Sequence, residues 1–376
     1  MKRIVIATLA LLCAITAASF AATYYVSPTG NDENDGFTPH TAFASLNAAD
    51  SKGLIAPGDR VEVLPGEYNL NRAKVSFTTS GTDTSPVTYA TDGAVLKNAD
   101  YAFGGRADNI VIEGFAIKDS DTGVAFRGSN ITVRNCVFEN ISEKCVSFMG
   151  DCSGEIVENC HFLDSSGDYC VQISGVSSND YGSDNIFRNN IFRGITGIAV
   201  DILGTSSNKF YNNTFLDTGD YIFRIMSGNK EKPKTELKNN IFADADKAVV
   251  YRESSSAVIT HSHNMYFNNA TDYGLDLMPA EGDLFGDPML DPETITPVDG
   301  SVVIDMGTDV GLLYNGDAPD IGAVESVSQT KPGIIVARAL RQEDNGPVAN
   351  VTIYAGNHSA ITGEDGLCRI PVPAGE

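Results

Sequence analysis

The 376-residue sequence contains no tryptophan and has only 26 lysine and arginine residues against 49 aspartates and glutamates. The resulting net charge of −23 excludes nucleic acid as a natural partner, because phosphate binding depends on clustered basic side chains. An acidic polysaccharide would also be repelled at long range unless a basic patch or a divalent cation reversed the local field. With 36 glycines, the composition is typical of an elongated all-β protein.

Long apolar runs are also missing. After residue 21 no segment approaches the ~20 apolar residues that a membrane span needs, so we expect no membrane insertion. The apolar stretch from Ile4 to Ala18 follows Lys2 and Arg3 and precedes small residues, which is typical of a secretory signal peptide over residues 1–21. We therefore expect an exported protein, extracellular or at the cell surface.

The cysteines lack the CxxC spacing that favours a zinc site. Disulfides between neighbouring segments are one expectation for an exported protein, and apolar packing of free thiols is the other. The six cysteines after the expected signal peptide are Cys136, Cys145, Cys152, Cys160, Cys170 and Cys368.

What the sequence does have is a repeat in which a residue suited to a bend, most often asparagine, stands three residues before an apolar one. Successive copies are spaced 21, 24, 30, 23, 27 and 24 residues apart. These are lengths for one turn of a right-handed parallel β-helix with loops of varying size. The copies begin at Gly114, Asn135, Asn159, Asn189, Asn212, Asn239 and His263.

The repeat predicts two columns of side chains inside the solenoid. Asparagine accepts the left-handed backbone of a tight bend, and an inward amide can bond to its copy one coil away. Cys136 and Cys160 fall in the same column as Asn190, Asn213 and Asn240, where we expect them to replace asparagine. A stack of mostly aromatic side chains is expected from Ile117, Phe138, Phe162, Phe192, Phe215, Phe242 and Tyr266.

A second strand follows each apolar residue of the repeat, with apolar residues at the first and third positions of a triplet. The middle residues are predicted to face solvent in one column, which would contain Ser147, Gln172, Asp201 and Arg224 and then, from Val249-Val-Tyr251, Val250. Just before these strands lie Lys144, Asp168 and Asp220, which we expect at the border of the same face.

Motifs at both ends of the repeat region resemble a known family. The start, Tyr24-Tyr-Val-Ser-Pro-Thr-Gly-Asn-Asp-Glu-Asn-Asp-Gly36 with Leu64-Pro-Gly-Glu-Tyr68, is similar to that of secreted bacterial right-handed β-helix proteins of the pectin-lyase-like superfamily. Asp320-Ile-Gly-Ala-Val-Glu325 is similar to their end. The resemblance implies an all-β solenoid over residues 22–325.

The ends of this solenoid need separate treatment, because the open end of a β-helix exposes a strand edge. Residues 22–60 are expected to form an N-terminal cap region, with a short capping helix between Phe43 and Leu54. After a linker at 326–332, residues 333–376 resemble an incomplete β-sandwich of the carboxypeptidase-regulatory type, with Gly346-Pro-Val-Ala-Asn-Val-Thr-Ile-Tyr354 as its clearest motif. We expect further domains after Glu376.

The superfamily includes lyases, hydrolases, epimerases and proteins without catalysis, so the resemblance does not fix an activity. The chain lacks the adjacent Asp-Asp and Gly-His-Gly motifs of polygalacturonase-like hydrolases and the Arg-x-Pro-x-x-Arg pattern of the main pectate lyase family. Polysaccharide lyases of other β-helix families combine a basic general base with Ca²⁺ that neutralises a uronate carboxylate. That chemistry makes Lys144 and Arg224 candidate catalytic residues, Ser147 and Gln172 candidate substrate-binding residues, and Asp168, Asp201 and Asp220 candidate Ca²⁺ ligands.

Two functional hypotheses follow. The first is a secreted lyase that acts by β-elimination on a uronate-containing polysaccharide with Ca²⁺ assistance. The second is a noncatalytic surface or matrix protein that binds cell-wall glycan or acts as a rigid spacer. Outward positions of a β-helix are polar by default, so a column of Gln, Asp and Arg is also what a solvated face contains, and Asp201 with Arg224 is then a surface ion pair.

Overall fold

The computed structural model describes residues 21–150, 152–175, 183–205, 207–226, 234–252, 257–274, 277–327 and 332–372. Residues 1–20, with nearly all of the expected signal peptide, lie outside that part of the chain. The described residues form a right-handed parallel β-helix. Their helical content is a 3₁₀ turn at Pro39–Thr41 and a single-turn helix, α1, at Ala48–Ser51. None of their helices has the length and apolar character to cross a membrane.

Three parallel sheets run along the solenoid. The first sheet has ten strands: β1 (Thr23–Val26), β2 (Arg60–Val63), β5 (Val87–Thr91), β8 (Ile110–Glu113), β10 (Ile131–Arg134), β12 (Ile156–Glu158), β15 (Ile186–Arg188), β18 (Asn208–Tyr211), β21 (Lys234–Lys238) and β24 (Val258–Ser262). The second sheet contains β3 (Gly66–Asn69), β6 (Ala94–Lys97), the first halves of β9 (Ala116–Phe126) and β11 (Val137–Met149), then β13 (His161–Leu163), β16 (Ile191–Ile195), β19 (Thr214–Thr218), β22 (Ile241–Ala245), β25 (Met265–Phe267) and β26 (Leu284–Phe285). The third sheet contains β4 (Lys74–Phe77), β7 (Tyr101–Gly105), the second halves of β9 and β11, β14 (Tyr169–Ser174), β17 (Ile198–Leu203), β20 (Phe223–Met226) and β23 (Val250–Arg252).

The bends between the first and second sheets confirm the predicted role of the leading asparagines. Asn135, Asn159, Asn189, Asn212 and Asn239 have φ angles of 54°, 53°, 54°, 51° and 56°. This left-handed conformation is strained for most residues and accessible to asparagine, whose short side chain can bond locally. The repeat therefore sets where each coil turns.

The predicted asparagine ladder lies directly inside these bends. Asn190 Nδ2 donates to Asn213 Oδ1 at 3.0 Å, and the same bond joins Asn213 to Asn240 and Asn240 to Asn264. Each of these amides also donates to an interior backbone carbonyl, so its buried polar atoms are satisfied. The column continues towards the N-terminus through Cys160, whose backbone N–H donates to Asn190 Oδ1 at 2.9 Å.

Aromatic rings fill the interior beside the ladder, as predicted. Phe138, Phe162, Phe192 and Phe215 are fully buried, and successive ring centroids lie 5.0, 4.4 and 4.5 Å apart in nearly parallel planes. The coil spacing of about 4.8 Å imposes this stacking distance. The stack is one continuous column within the core of the solenoid.

The thiols pack inside this core. Cys136, Cys145, Cys160 and Cys170 are buried and form no disulfide, which agrees with the packing expectation. Cys136 and Cys160 occupy the predicted ladder column, where their thiols donate to backbone carbonyls.

The N-terminal end is closed by the region predicted to cap it. Phe43, Leu46 and Ala49 are buried in the main core, and α1 lies within the expected segment. Because β1 pairs in parallel with β2, the same region also supplies the first strand of the first sheet.

A tail after the last coil folds back over the outward face of the second sheet. Its residues Val303 and Ile321 pack against outward-facing Ile241 and Met265, and all four are at most 1% exposed. Polar bonds fix the tail as well: Asn239 Nδ2 donates to the Thr308 carbonyl at 2.8 Å. The last coils of the second sheet are therefore shielded from solvent on this side.

The C-terminal segment forms short antiparallel pairs, compatible with the expected small extra domain. Strand β27 (Gly333–Arg338) pairs with β30 (Leu367–Val372), and β28 (Thr352–Ala355) forms a hairpin with β29 (His358–Ile361). Strand β29 also pairs antiparallel with β26 at the end of the second sheet. Part of the predicted linker (328–331) and the last four residues (373–376) lie outside the described residues, and the domain boundaries stay predictions.

Candidate functional site

The predicted outward column exists on the third sheet. Parallel pairing aligns Ser147 with Gln172, Gln172 with Asp201, and Asp201 with Arg224, one residue in each successive coil. We call these four residues the polar strip. Coil spacing places them about 4.8 Å apart along the helix axis.

The last position of the column was predicted wrongly. Val250 pairs with Phe223 and is 3% exposed, so it faces the core, and Tyr251 lies opposite Arg224. A shift of one residue in a strand exchanges its inward and outward faces, and Val249, Val250 and Tyr251 do not alternate clearly enough to set that register. The polar strip therefore continues into a tyrosine.

Two members of the strip are not exposed, contrary to expectation. Ser147 and Asp201 are each 1% exposed, whereas Gln172 and Arg224 are partly exposed. Arg224 Nε donates to Asp201 Oδ1 at 2.8 Å, and Gln172 Nε2 donates to Asp201 Oδ2 at 3.3 Å. Their longer side chains thus cover the carboxylate and occupy both of its oxygens.

Arg224 is a fixed cation. Its guanidinium lies 4.5 Å from the centre of the Tyr169 ring, two coils away, so the side chain extends across Asp201. Burial acts to lower the pKa of Arg224, but the hydrogen bond to Asp201 and the charge of that carboxylate prevail and raise it above its usual value. A group held this firmly in its protonated form is unsuited to act as a base, and it is well placed to bind an anion.

Lys144 lies on the same sheet, in β11. Its backbone is three coils from that of Arg224, about 14 Å by the coil spacing. The Arg224 guanidinium nevertheless reaches the ring of Tyr169. Tyr169 occupies the same position in its coil as Lys144 does in the preceding coil, because each stands two residues before a valine and these valines, Val171 and Val146, pair with each other. The structure thus brings the guanidinium to the coil next to Lys144.

The three predicted calcium ligands are not gathered into one site. Asp201 is occupied by Arg224 and Gln172, Asp168 is exposed in another column, and Asp220 bonds to Lys247 Nζ at 2.8 Å. Asp168 and Asp220 precede Tyr169 and Tyr221, whose strand positions are two coils apart, about 10 Å. No three His, Cys, Asp or Glu side chains in the described part of the chain are arranged to hold a metal ion. These residues do not fit a Ca²⁺ site as they stand.

Four residues of this face were missed by sequence reasoning: Tyr169, Tyr221, Tyr251 and Lys247. The Tyr221 and Tyr251 rings stack with centroids 4.7 Å apart, and Lys247 Nζ lies 5.0 Å from the Tyr221 ring. A signal was present, because Asp168-Tyr169 and Asp220-Tyr221 both precede an apolar triplet at the same distance. Charge pointed only to the aspartates of these two pairs and not to the tyrosines that follow them.

Two concave surfaces lie away from the polar strip. A cleft of about 590 Å³ between the end of the β-helix, the tail and the C-terminal segment is lined by residues that include His263, Glu281 and Val336. A groove of about 660 Å³ runs along Asp217 and Asp244 at the bend between the second and third sheets. Neither is lined by a residue of the polar strip.

Comparisons with known proteins agree with this architecture. A family model described as a right-handed β-helix region matches residues 87–230 and 174–282, which together are more than half of the chain. The chain belongs to this family. It is thus a right-handed β-helix protein of the pectin-lyase-like superfamily. A search of curated proteins finds no match.

Two solved structures illustrate the likeness. The β-helix protein is similar to the pectate lyase Pel9A, with a TM-score of 0.62 and 18% identity over 82% of this chain and 97% of that one. It is also similar to an alginate lyase from Paenibacillus sp. str. FPU-7, with a TM-score of 0.50 and 18% identity over 62% of this chain and 85% of that one. At this identity the likeness shows the fold.

Proposed function

We propose that this protein is an exported carbohydrate-active enzyme that binds a uronate-containing polysaccharide along the third sheet and cleaves it by β-elimination. One observation carries the proposal: the Arg224 guanidinium, held by Asp201 whose other oxygen accepts from Gln172, lies on a tyrosine ring on the outward face of the third sheet, in a protein with net charge −23. Such a cation binds a carboxylate in bidentate fashion, and the aromatic face supplies apolar contact.

The chemistry assigns different roles to the two basic residues. Arg224 binds the uronate carboxylate and stabilises the charge that develops when the neighbouring carbon loses its proton. Lys144, in its neutral form, takes that proton as the general base. A carbon–carbon double bond then forms while the bond to the glycosidic oxygen breaks, and the departing oxygen takes a proton from solvent in exchange for the one that Lys144 removes, so no oxidant or water is consumed. Calcium assistance stays a prediction, and no step is assigned to it.

The test is to incubate the purified protein with pectate, alginate and glycosaminoglycans, with and without calcium, and follow the ultraviolet absorbance of the unsaturated product. We expect turnover on at least one polymer. Lys144→Met is expected to abolish turnover while leaving binding intact. Lys238→Met is the matched control, because Lys238 lies on the first sheet and pairs with Glu236. Absence of product from every polymer contradicts the proposal.

A noncatalytic glycan-binding protein is the second candidate. It is favoured by the saturation of Asp201 by Arg224 and Gln172, which is also what a purely recognitive surface contains. Binding to acidic glycans without any turnover, in wild type and Lys144→Met alike, supports this candidate over the first.

A further inference from the structure

The face that contains Arg224 continues into a second cation lying on an aromatic ring. Tyr251 follows Arg224 in the outward column, one coil further on. Its ring stacks on that of Tyr221 at 4.7 Å with 28° between the planes, and Lys247 Nζ lies 5.0 Å from the Tyr221 centroid. We call Tyr221, Tyr251 and Lys247 the tyrosine–lysine cluster.

Packing in the fold gives these rings no obvious role. Both tyrosines are partly exposed, and the Lys247 side chain is 50% exposed. Outward positions that lie under the tail carry aliphatic side chains instead, as at Ile241 and Met265. Two stacked, partly exposed aromatic rings therefore indicate a ligand-binding surface, which a single exposed apolar residue does not.

The two cations are spaced along the helix axis. The Arg224 guanidinium lies at Tyr169 and the Lys247 ammonium at Tyr221, and the register places these tyrosines two coils apart. Coil spacing makes this about 10 Å. A ligand that contacts both must be extended and must run parallel to the axis, across the strands.

Two carboxylates reduce the positive charge of this face only in part. Asp201 pairs with Arg224, and Asp220 pairs with Lys247 Nζ at 2.8 Å. Among the described residues each cation still has donors left over, because Arg224 bonds to Asp201 through Nε, and an ammonium group has three donors. An anionic ligand can thus be bound without breaking either pair.

We propose that the tyrosine–lysine cluster is a second subsite of the polysaccharide face, which binds a second carboxylate of the same acidic glycan chain about 10 Å from the one bound by Arg224. The inference rests on the proposed function for its ligand class and goes beyond it in fixing direction and length. The glycan lies along the helix axis, and a short oligosaccharide cannot reach both cations.

The experiment measures binding by calorimetry with the full chain, using oligogalacturonates and oligomannuronates as disaccharides and hexasaccharides. For wild type we expect at least one hexasaccharide to bind roughly tenfold or more tightly than its disaccharide, since one charge-assisted contact contributes about that factor. Lys247→Met and Tyr251→Ala are expected to weaken hexasaccharide binding and leave disaccharide binding unchanged. Lys238→Met, on the first sheet, removes the same charge and should change neither.

Equal affinity of wild type for both lengths overturns the subsite, as does an unchanged length dependence in Lys247→Met. Cleavage that persists with an unchanged length dependence removes the subsite and leaves the proposed lyase in place. If Lys247→Met abolishes a length dependence of binding but no polymer is cleaved by the wild type, the subsite is retained and the proposed lyase activity is rejected. Because Lys247 is exposed, the variant is expected to fold, and thermal unfolding confirms it.

Discussion

Two outward faces of the same solenoid carry opposite kinds of residues. On the second sheet, Ile241 and Met265 point away from the core and are buried by Val303 and Ile321 of the tail. On the third sheet, Gln172 and Arg224 point outward over Asp201 and no tail covers them within the described residues. The backbone is equivalent in both, so the covering element decides which residue types the face contains.

The residue types on an outward face indicate what kind of partner covers it. Apolar outward residues indicate an internal partner, and here the partner is the tail. The third sheet has a self-contained polar arrangement with aromatic rings left over, and these rings are the residues that call for an external ligand. Substitutions on the second sheet should therefore weaken the attachment of the tail, and those at the tyrosine rings of the third sheet should weaken ligand binding.

The largest effect is expected at Arg224. Arg224→Ala leaves the buried Asp201 carboxylate without its charge partner, which costs about 3–5 kcal/mol of unfolding free energy. Denaturant unfolding measures the loss. The double variant with Asp201→Asn should recover much of it, because the uncompensated charge is then gone. A single variant as stable as wild type would show that water already solvates Asp201.

Next is the covered face. Ile321→Ala removes a fully buried side chain from the contact between tail and second sheet, and should cost about 2 kcal/mol, the lower end of the range, because a surface tail can partly collapse. Hydrogen exchange should rise in residues 288–325 before it rises in the coils. Leu313→Ala, at a position 99% exposed, is the control and should have no effect.

A smaller effect concerns pH and the same tail. Burial, together with the charge of Asp320, raises the pKa of Glu325 to about 7, although N–H groups of Asn315 and Asp320 act against this. A folded-state pKa above the ordinary value means that the folded tail holds the proton more tightly. The stability that the protonated Glu325 carboxyl gives to the folded tail is complete below the unfolded pKa and is lost as pH rises towards about 7.

Hydrogen exchange of the tail, corrected for the intrinsic pH dependence of exchange, should therefore show weaker protection at pH 8 than at pH 5. Glu325→Gln should flatten this dependence. A tail equally protected at both pH values in the wild type would contradict the assignment.

The smallest effect is expected at Ser147. Its hydroxyl is buried and makes no hydrogen bond with the described residues. Ser147→Ala should change stability by less than about 1 kcal/mol, towards greater stability, because an unsatisfied polar group is removed. Thermal unfolding tests this, and a clear loss would reveal a partner for the hydroxyl.

The sequence was sufficient for the core. Asn190, Asn213 and Asn240, together with the phenylalanine stack, recur at coil spacing because each must meet its own copy in the next coil. The fold and the outward column through Arg224 could be deduced from that periodicity, and the N-terminal cap from the need to cover an open strand edge.

The candidate site was predictable only in part. Periodicity gives the side of the sheet on which Asp201 lies, but its burial depends on the reach of Arg224 and Gln172 across coils. The register at Tyr251 depends on loops of variable length. The interval between coils carries no information on how far a long side chain extends, and so the contact between Arg224 and Tyr169 could not be foreseen.

The antiparallel pairing of β29 with β26 has a consequence for assembly. A solenoid that ends in parallel strands leaves a row of unpaired backbone groups, which is a template for pairing with a strand of another molecule. Strand β29 reverses the chain direction at the last rung of the second sheet. It therefore covers the last parallel rung at that edge, and truncation before residue 333 should expose the unpaired backbone groups of β26.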